Sequence, residues 1–148
     1  MRFMLIVKAS DDSEAGVMPR EELLRKIIKY EEALVEAGVL LTGEGLQPSS
    51  KGVRVRFAGN DWSVTDGPFL ETKELIAGYW LWQCDSMETA IEWLKRAPFE
   101  RGAEVELRRV LETDDFGDEL TPALREKEVK LRERIAVTNH DGKKTEEP

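Results

Sequence analysis

Leu75 to Cys84 is the longest apolar stretch of the chain, interrupted by Gly78. Read as a strand, it sends Leu75, Ala77, Tyr79 and Leu81 to one face and Ile76, Trp80 and Trp82 to the other. A strand that is apolar on both sides needs cover on both sides. That requirement constrains everything around it.

The neighbouring segments predict what provides the cover. Phe3–Lys8 reads as a buried first strand, and Asp11 to Gly16 as an acidic loop. Pro19 suits the first position of a helix running to Ala37, with Leu23, Leu24, Ile27, Ile28 and Leu34 on its apolar side. Gly38 ends that helix, and Val39–Thr42 reads as a second strand that Gly43-Glu44-Gly45 breaks. Val53, Val55 and Phe57 alternate with Arg54, Arg56 and Ala58, the pattern of a half-buried strand. Gly59-Asn60 and Trp62–Thr65 complete a hairpin with a longer loop. Ser86 caps a helix over Met87–Ala97 that Pro98 ends. Ala103, Val105 and Leu107 make the last strand.

The order is β-α-β, hairpin, β-α-β, which predicts an α+β, ferredoxin-like domain with both helices on one face of the sheet. The other face of Leu75–Cys84 then calls for a second subunit, a homodimer with facing sheets. The alternative cover is the C-terminal helix folded back.

The domain is read over residues 1–111, with an acidic stretch and C-terminal helix over 112–137 and a polar, disordered tail over 138–148. Glu112–Glu119 carries five acids and no base, and Thr121-Pro122 opens the last helix. Leu120, Leu124, Leu131 and Ile135 form its narrow apolar stripe, and Glu126–Lys130 and Glu128–Arg132 are favourable pairs.

Composition removes several chemistries. The 148 residues carry 22 Lys and Arg against 30 Asp and Glu, a net charge of −8. That balance argues against nucleic acid as a direct partner. One Cys excludes an internal disulfide and a Cys-based zinc site, and one His, His140, excludes a multi-His metal centre. Phe3–Val7 is too short for a membrane span or secretory core, so a cytoplasmic location without membrane association is expected.

Two stretches resemble a known family: Gly43-Glu44-Gly45-Leu46-Gln47-Pro48-Ser49-Ser50, and Asp66-Gly67-Pro68-Phe69 continuing through Glu71-Thr72-Lys73-Glu74 to Ala77-Gly78-Tyr79-Trp80. They look like the YCII-related family in its DGPF-motif branch, over residues 1–111. The resemblance implies a ferredoxin-like dimeric α/β barrel without an established reaction. Some members lie beside sigma-factor-like regulators, which implies a regulatory protein partner. A His–Asp pair has been proposed for related members. With His140 alone in the tail, that pair does not carry over, and Asp66 keeps only the acid's place.

Read by itself, Asp66-Gly67-Pro68-Phe69 is an ordinary turn. Its functional reading adds Lys73, which would hold Asp66 ionised or bind an anionic ligand, together with Glu71 and Glu74. Asp66, Lys73 and Glu44 are the catalytic candidates. Glu31, Arg54, Arg56 and Glu71 are the ligand-binding candidates. Glu31 falls inside the apolar stripe of its helix, where a carboxylate must pair, protonate or reach the edge. Glu44 lies between two glycines, a setting for ligand approach or for a strand-end bulge. Arg54 and Arg56 share a strand face and suit a small anion, or they guard an edge. Trp80 and Trp82 read as core or interface, and Cys84 as structural. No cofactor is called for: Gly-Glu-Gly is too short for a dinucleotide fingerprint. Asp61, Asp66, Glu71 and Glu74 lack the spacing of a calcium loop, so no metal is assigned.

Three function classes follow. The first is a small-ligand-binding or regulatory accessory protein with a cleft near Asp66. The second is an enzyme using carboxylate acid–base chemistry on a small polar or anionic molecule. The third is a structural dimer whose acidic tail meets a partner.

Overall fold

The computed structural model describes residues 1–141. They fall into two compact units, one from Met1 to Val110 and one beginning at Leu111. The first contains strands β1 (Arg2–Lys8), β2 (Leu40–Gly45), β3 (Val53–Ala58), β4 (Asp61–Asp66), β5 (Ile76–Gln83) and β6 (Val105–Arg109). Its helices are α1 (Asp11–Glu14), α2 (Glu21–Glu36) and α3 (Met87–Leu94). The second contains α4 (Pro122–Asp141), preceded by 3₁₀ turns over Thr113–Glu119.

Four strands form one sheet in the order β2-β5-β1-β6, with every neighbouring pair antiparallel. This is the ferredoxin-like order, and it places β5 in the interior of the sheet. β3 and β4 form a separate hairpin. Cross-strand register puts Phe3 beside Trp82 and Leu5 beside Trp80. These four meet Tyr30 and Leu34 of α2 and Ala90 of α3 in one core with Val39 and Cys84. The Trp80 and Trp82 indoles stack at 5.9 Å, and Tyr30 leans on them at 5.8 and 6.5 Å. The Tyr30 hydroxyl donates to the Trp93 carbonyl at 2.7 Å, tying α2 to α3. Trp82 Nε1 is buried without a hydrogen-bond partner among the described residues. Such an orphan costs about 1–3 kcal/mol, set against the packing of the indole around it.

Several boundaries differ from the sequence expectation. Asp11–Glu14 is helical rather than a loop, because Ser10 and Ser13 form a reciprocal capping box. α2 starts at Glu21, not Pro19; Arg20 takes the extended cap position, and Glu21 and Glu22 complement the helix dipole. The helix closes as expected on Gly38, at φ +70°. Leu24 and Ile28 are exposed, while Tyr30 takes the buried place beside Leu34. Gly43-Glu44-Gly45 continues β2 instead of breaking it, since β5 pairs with all three. The hairpin loop is two residues, Gly59-Asn60, because Ala58 pairs directly with Asp61. Its strands are exposed rather than half-buried, with Phe57 at 80%. α3 ends at Leu94, three residues before the expected Ala97. β6 begins at Val105 rather than Ala103.

In the second unit, Leu120 stands outside the helix. α4 passes the expected end at Val137 and runs through Thr138 to Asp141. The Thr138 hydroxyl donates to the Arg134 carbonyl at 3.0 Å, so the polar residue is accommodated within the helix. The rest of the tail expected to be disordered lies outside the described residues.

Burial pushes the Tyr30 phenol up to about 12, against the opposing pull of nearby Arg96. The native state therefore holds a proton that the unfolded chain releases above about pH 10. This contribution to stability is complete below about pH 10 and is lost as the pH rises to about 12. Urea midpoints measured across that window should fall for the native chain. Tyr30→Phe should flatten the tyrosine-specific part of the slope.

Candidate functional site

The two motif stretches fold against each other. Gly67 lies on the loop containing Ser49: a Cβ there would come within 1.8 Å of the Ser49 carbonyl oxygen. The Gly67 amide donates to the Gly52 carbonyl at 3.0 Å, and the Gly67-Pro68 bond is cis. The Phe69 amide donates to Ser49 Oγ at 3.1 Å. Further along, a Cβ on Gly78 would stand 2.8 Å from the Glu44 carbonyl oxygen. One on Gly43 would stand 2.1 Å from Trp80 Cδ1. Three of the glycines thus serve close approach, and only glycine leaves the room.

Ser49 is the hub of this packing. Its hydroxyl donates to the Glu14 carboxylate, and its amide donates to the same group at 3.1 Å. Glu14, the 49–51 turn and the Asp66–Phe69 loop are therefore one hydrogen-bonded unit. Sequence reasoning missed Glu14, which looked like part of an acidic loop. The signal was Ser10 and Ser13 in capping spacing, which fixes the short helix that carries it.

The candidate side chains take different places. Asp66 ends β4 opposite Val53 and is exposed. Lys73 sits in the Thr72–Glu74 turn with Glu71 just before it, and both are exposed. Arg54 lays its guanidinium over the Phe69 ring at 3.8 Å, which joins the hairpin to the Asp66 loop. Arg56 is exposed opposite Ser63. Glu31 is half-buried and accepts from Trp80 Nε1 at 2.8 Å. Of the outcomes open to a carboxylate in that stripe, pairing, protonation or escape to the edge, it takes the first. Glu44 pairs with Tyr79 on β5. The structure brings Arg54 to the Asp66 loop, Glu31 to Trp80 and Glu44 to Tyr79. It shows no direct contact among Asp66, Lys73 and Glu44. Cys84 is buried, and burial pushes its thiol up, which leaves it little thiolate character.

The face of the sheet opposite α2 and α3 has a distinct composition. Register places Thr42, Leu81, Met4 and Arg108 in one row across the strands, and Glu44, Tyr79, Ile6 and Glu106 in the next. The middle of each row is apolar and the edges are polar. Met4, Ile6, Tyr79 and Leu81 are only half-buried, and Lys8 approaches Glu106 at 3.9 Å. A shallow groove elsewhere is lined by Leu131, Arg134, Ile135, Thr138 and Asn139 of α4, and by none of the candidate residues. Among the described residues no cluster of His, Cys, Asp and Glu could hold a metal ion, and no helix is long and apolar enough to cross a membrane.

Comparison with known proteins gives three findings. The family model described as YCII-related domain matches residues 1–114. An uncharacterized protein of Rhizobium meliloti (strain 1021) is 30% identical over 89 residues, 58% of this chain and 72% of its own length. The solved 5-chloro-2-hydroxyhydroquinone dehydrochlorinase of Burkholderia phenoliruptrix AC1100, in complex with 2,5-dihydroxybenzoquinone, is similar over 75% of this chain and 94% of its own. That similarity has a TM-score of 0.43 and 15% identity.

The Ser49 hub makes a specific energetic prediction. Ser49→Ala removes the hydroxyl that links Glu14 to the Phe69 amide, and should cost about 1–3 kcal/mol, read as a lower urea midpoint with unchanged slope. Gly67→Ala should cost at least as much, since its Cβ meets backbone rather than a movable side chain. A Gly67→Ala protein as stable as the parent would show that the loop contact is not required.

Proposed function

The chain belongs to the YCII-related domain family, and from that premise we propose that it is a homodimeric small-ligand-binding protein. The observation carrying this reading is the outer sheet face. An apolar centre of Met4, Ile6, Tyr79 and Leu81 lies between polar edges formed by Thr42 and Glu44 on β2 and by Glu106 and Arg108 on β6. Two copies that close on this face bury the apolar centre. Their polar edges then converge on whatever small molecule lies between sheet and loops.

Within that reading Glu44 is the best-placed polar candidate, because it shares a row with Tyr79. Arg54, Arg56 and Glu71 supply charge on the hairpin and loop near Asp66. Glu31 supports the opposite side of β5 through Trp80. The ligand class is a small polar or anionic molecule, and the role is binding or regulation. A cytoplasmic location and a regulatory protein partner go with it.

Sedimentation at micromolar concentration tests the dimer, and Leu81→Lys should turn it into monomer by placing two charges face to face. A monomeric native chain would end the facing-sheet reading. A thermal-shift screen of small anions and polar metabolites should yield a stabilising hit that Glu44→Gln weakens. Should the hit be turned over, with turnover lost and binding kept in Asp66→Asn, the protein is an enzyme of the carboxylate acid–base class.

A further inference from the structure

Lys8 is the one lysine among the described residues that is not exposed. Its side chain keeps 23% of its accessible surface, and its ammonium has a single partner, Glu106 at 3.9 Å. That distance is a loose ion pair, too long for a hydrogen bond. No described residue hydrogen-bonds to the Lys8 ammonium or to the Tyr79 hydroxyl.

Both side chains lie on the outer sheet face. Ile6 faces Tyr79, and Lys8 follows two residues later on the same side of β1. Tyr79 and Lys8 are therefore diagonal neighbours, a spacing of about 7–8 Å that long side chains span. The register slips beside them: Val7 faces Gly78 but Lys8 faces Ile76, so Ala77 is one residue over. A bulge of this kind bends the strand and re-aims the side chains next to it. It also sits at the end of the sheet where both motif stretches meet β5. The Leu46 amide donates to the Ala77 carbonyl at 2.8 Å, and the Ala9 amide to the Leu75 carbonyl at 2.9 Å.

These features select a ligand. An ammonium and a phenol O–H are two kinds of donor, and a carboxylate has two oxygens, one for each. Glu44 and Glu106 close the Tyr79 row on its two sides. Their charges oppose a second negative charge on the ligand, which favours a monoanion over a phosphate dianion. The Ile6 side chain and the Tyr79 ring, both half-buried, offer an apolar floor for the rest of the molecule.

We propose that Lys8 and Tyr79 bind the carboxylate of a small monocarboxylic acid whose apolar body rests on Ile6. This site rests on the small-ligand reading and deepens it: the anion is held at the sheet bulge rather than by Arg54, Arg56 or Lys73.

NMR titration of the full-length chain tests the site with benzoate and with benzamide, its neutral isostere. Benzoate should bind at least about tenfold more tightly, the ratio that one charge-assisted hydrogen bond supplies. Lys8→Met keeps an unbranched apolar stem and drops the charge. It should abolish the preference while benzamide binding stays, and Lys8→Arg should retain it. Tyr79→Phe should weaken benzoate by about threefold or more. Glu106→Gln, which frees Lys8 and removes a like charge, should strengthen it. Four results would each overturn the proposal. They are no saturable response to benzoate, equal binding of the two probes, inorganic phosphate binding more tightly than benzoate, and a preference kept in Lys8→Met. The last is what a lysine that only lays its stem along the sheet would give. A preference kept in Lys8→Met but lost in Arg56→Met or Lys73→Met would overturn this site and leave the small-ligand reading standing. That reading fails separately, when the thermal-shift screen yields no hit at all.

Discussion

The stacked indoles of Trp80 and Trp82 are the contact on which the first unit is built. They project from one face of an interior strand, and each of their neighbours is shaped by them. Phe3 and Leu5 pair with them from β1, and Tyr30 leans on both from α2. Gly43 on β2 has no side chain where the Trp80 ring passes. Glu31 accepts a hydrogen bond from the Trp80 indole N–H, which burial would otherwise leave unpaired. Each ring removes about 150–250 Å² from water, a large share of the core of a domain this size. Trp82 retains an unsatisfied N–H in exchange. A smaller side chain would remove that orphan but lose the stack.

The same strand explains the motif glycines. Gly78 lets β2 come close to β5, Gly43 lets Trp80 cross β2, and Gly67 seats the Asp66 loop on Ser49. Residues that look like a chemical signature in one dimension are a packing code in three. Asp66 is the exception: it ends the hairpin, exposed, beside a loop that is tightly fixed. A rigid loop presenting a free carboxylate can hold a ligand group in place, and it also makes a sound turn. The geometry of the loop alone serves both.

Much of the architecture was legible in the sequence because period and punctuation agreed. The alternation in Val53–Ala58, the Ser86 cap and Gly38 after the first long helix each marked an element that the structure contains. What failed had physical causes. Gly43 and Gly45 looked like breakers, but a strand paired with β5 tolerates glycine where an indole needs the space. Leu24 and Ile28 looked like core because the helical stripe was centred too far round; Tyr30, polar at one end, was overlooked as its buried member. Glu14 was invisible because its role rests on Ser49, thirty-five residues away. Glu31 was only partly legible: its place in an apolar stripe left pairing, protonation or escape to the edge open, and the structure pairs it with the Trp80 indole, a contact forty-nine residues away in sequence.

Few of the motif residues are left to meet a ligand. Ser49, Gly67, Gly78 and the Phe69 amide are committed to holding loops and strands together, and Glu14 with them. His140 lies in the second unit, and no other histidine exists for proton transfer. Polar groups not tied up in this packing include the edges of the outer sheet face and the exposed side chains of Asp66, Arg56 and Glu71. An apolar centre with polar margins is costly to leave open and specific once closed. Under the proposed closure, exposed Glu44 and Arg108 and half-buried Tyr79 would enter a confined space, where their interactions strengthen as the dielectric falls. On this reading the sheet supplies the surface, the motifs supply its rigidity, and the edge residues supply the selectivity.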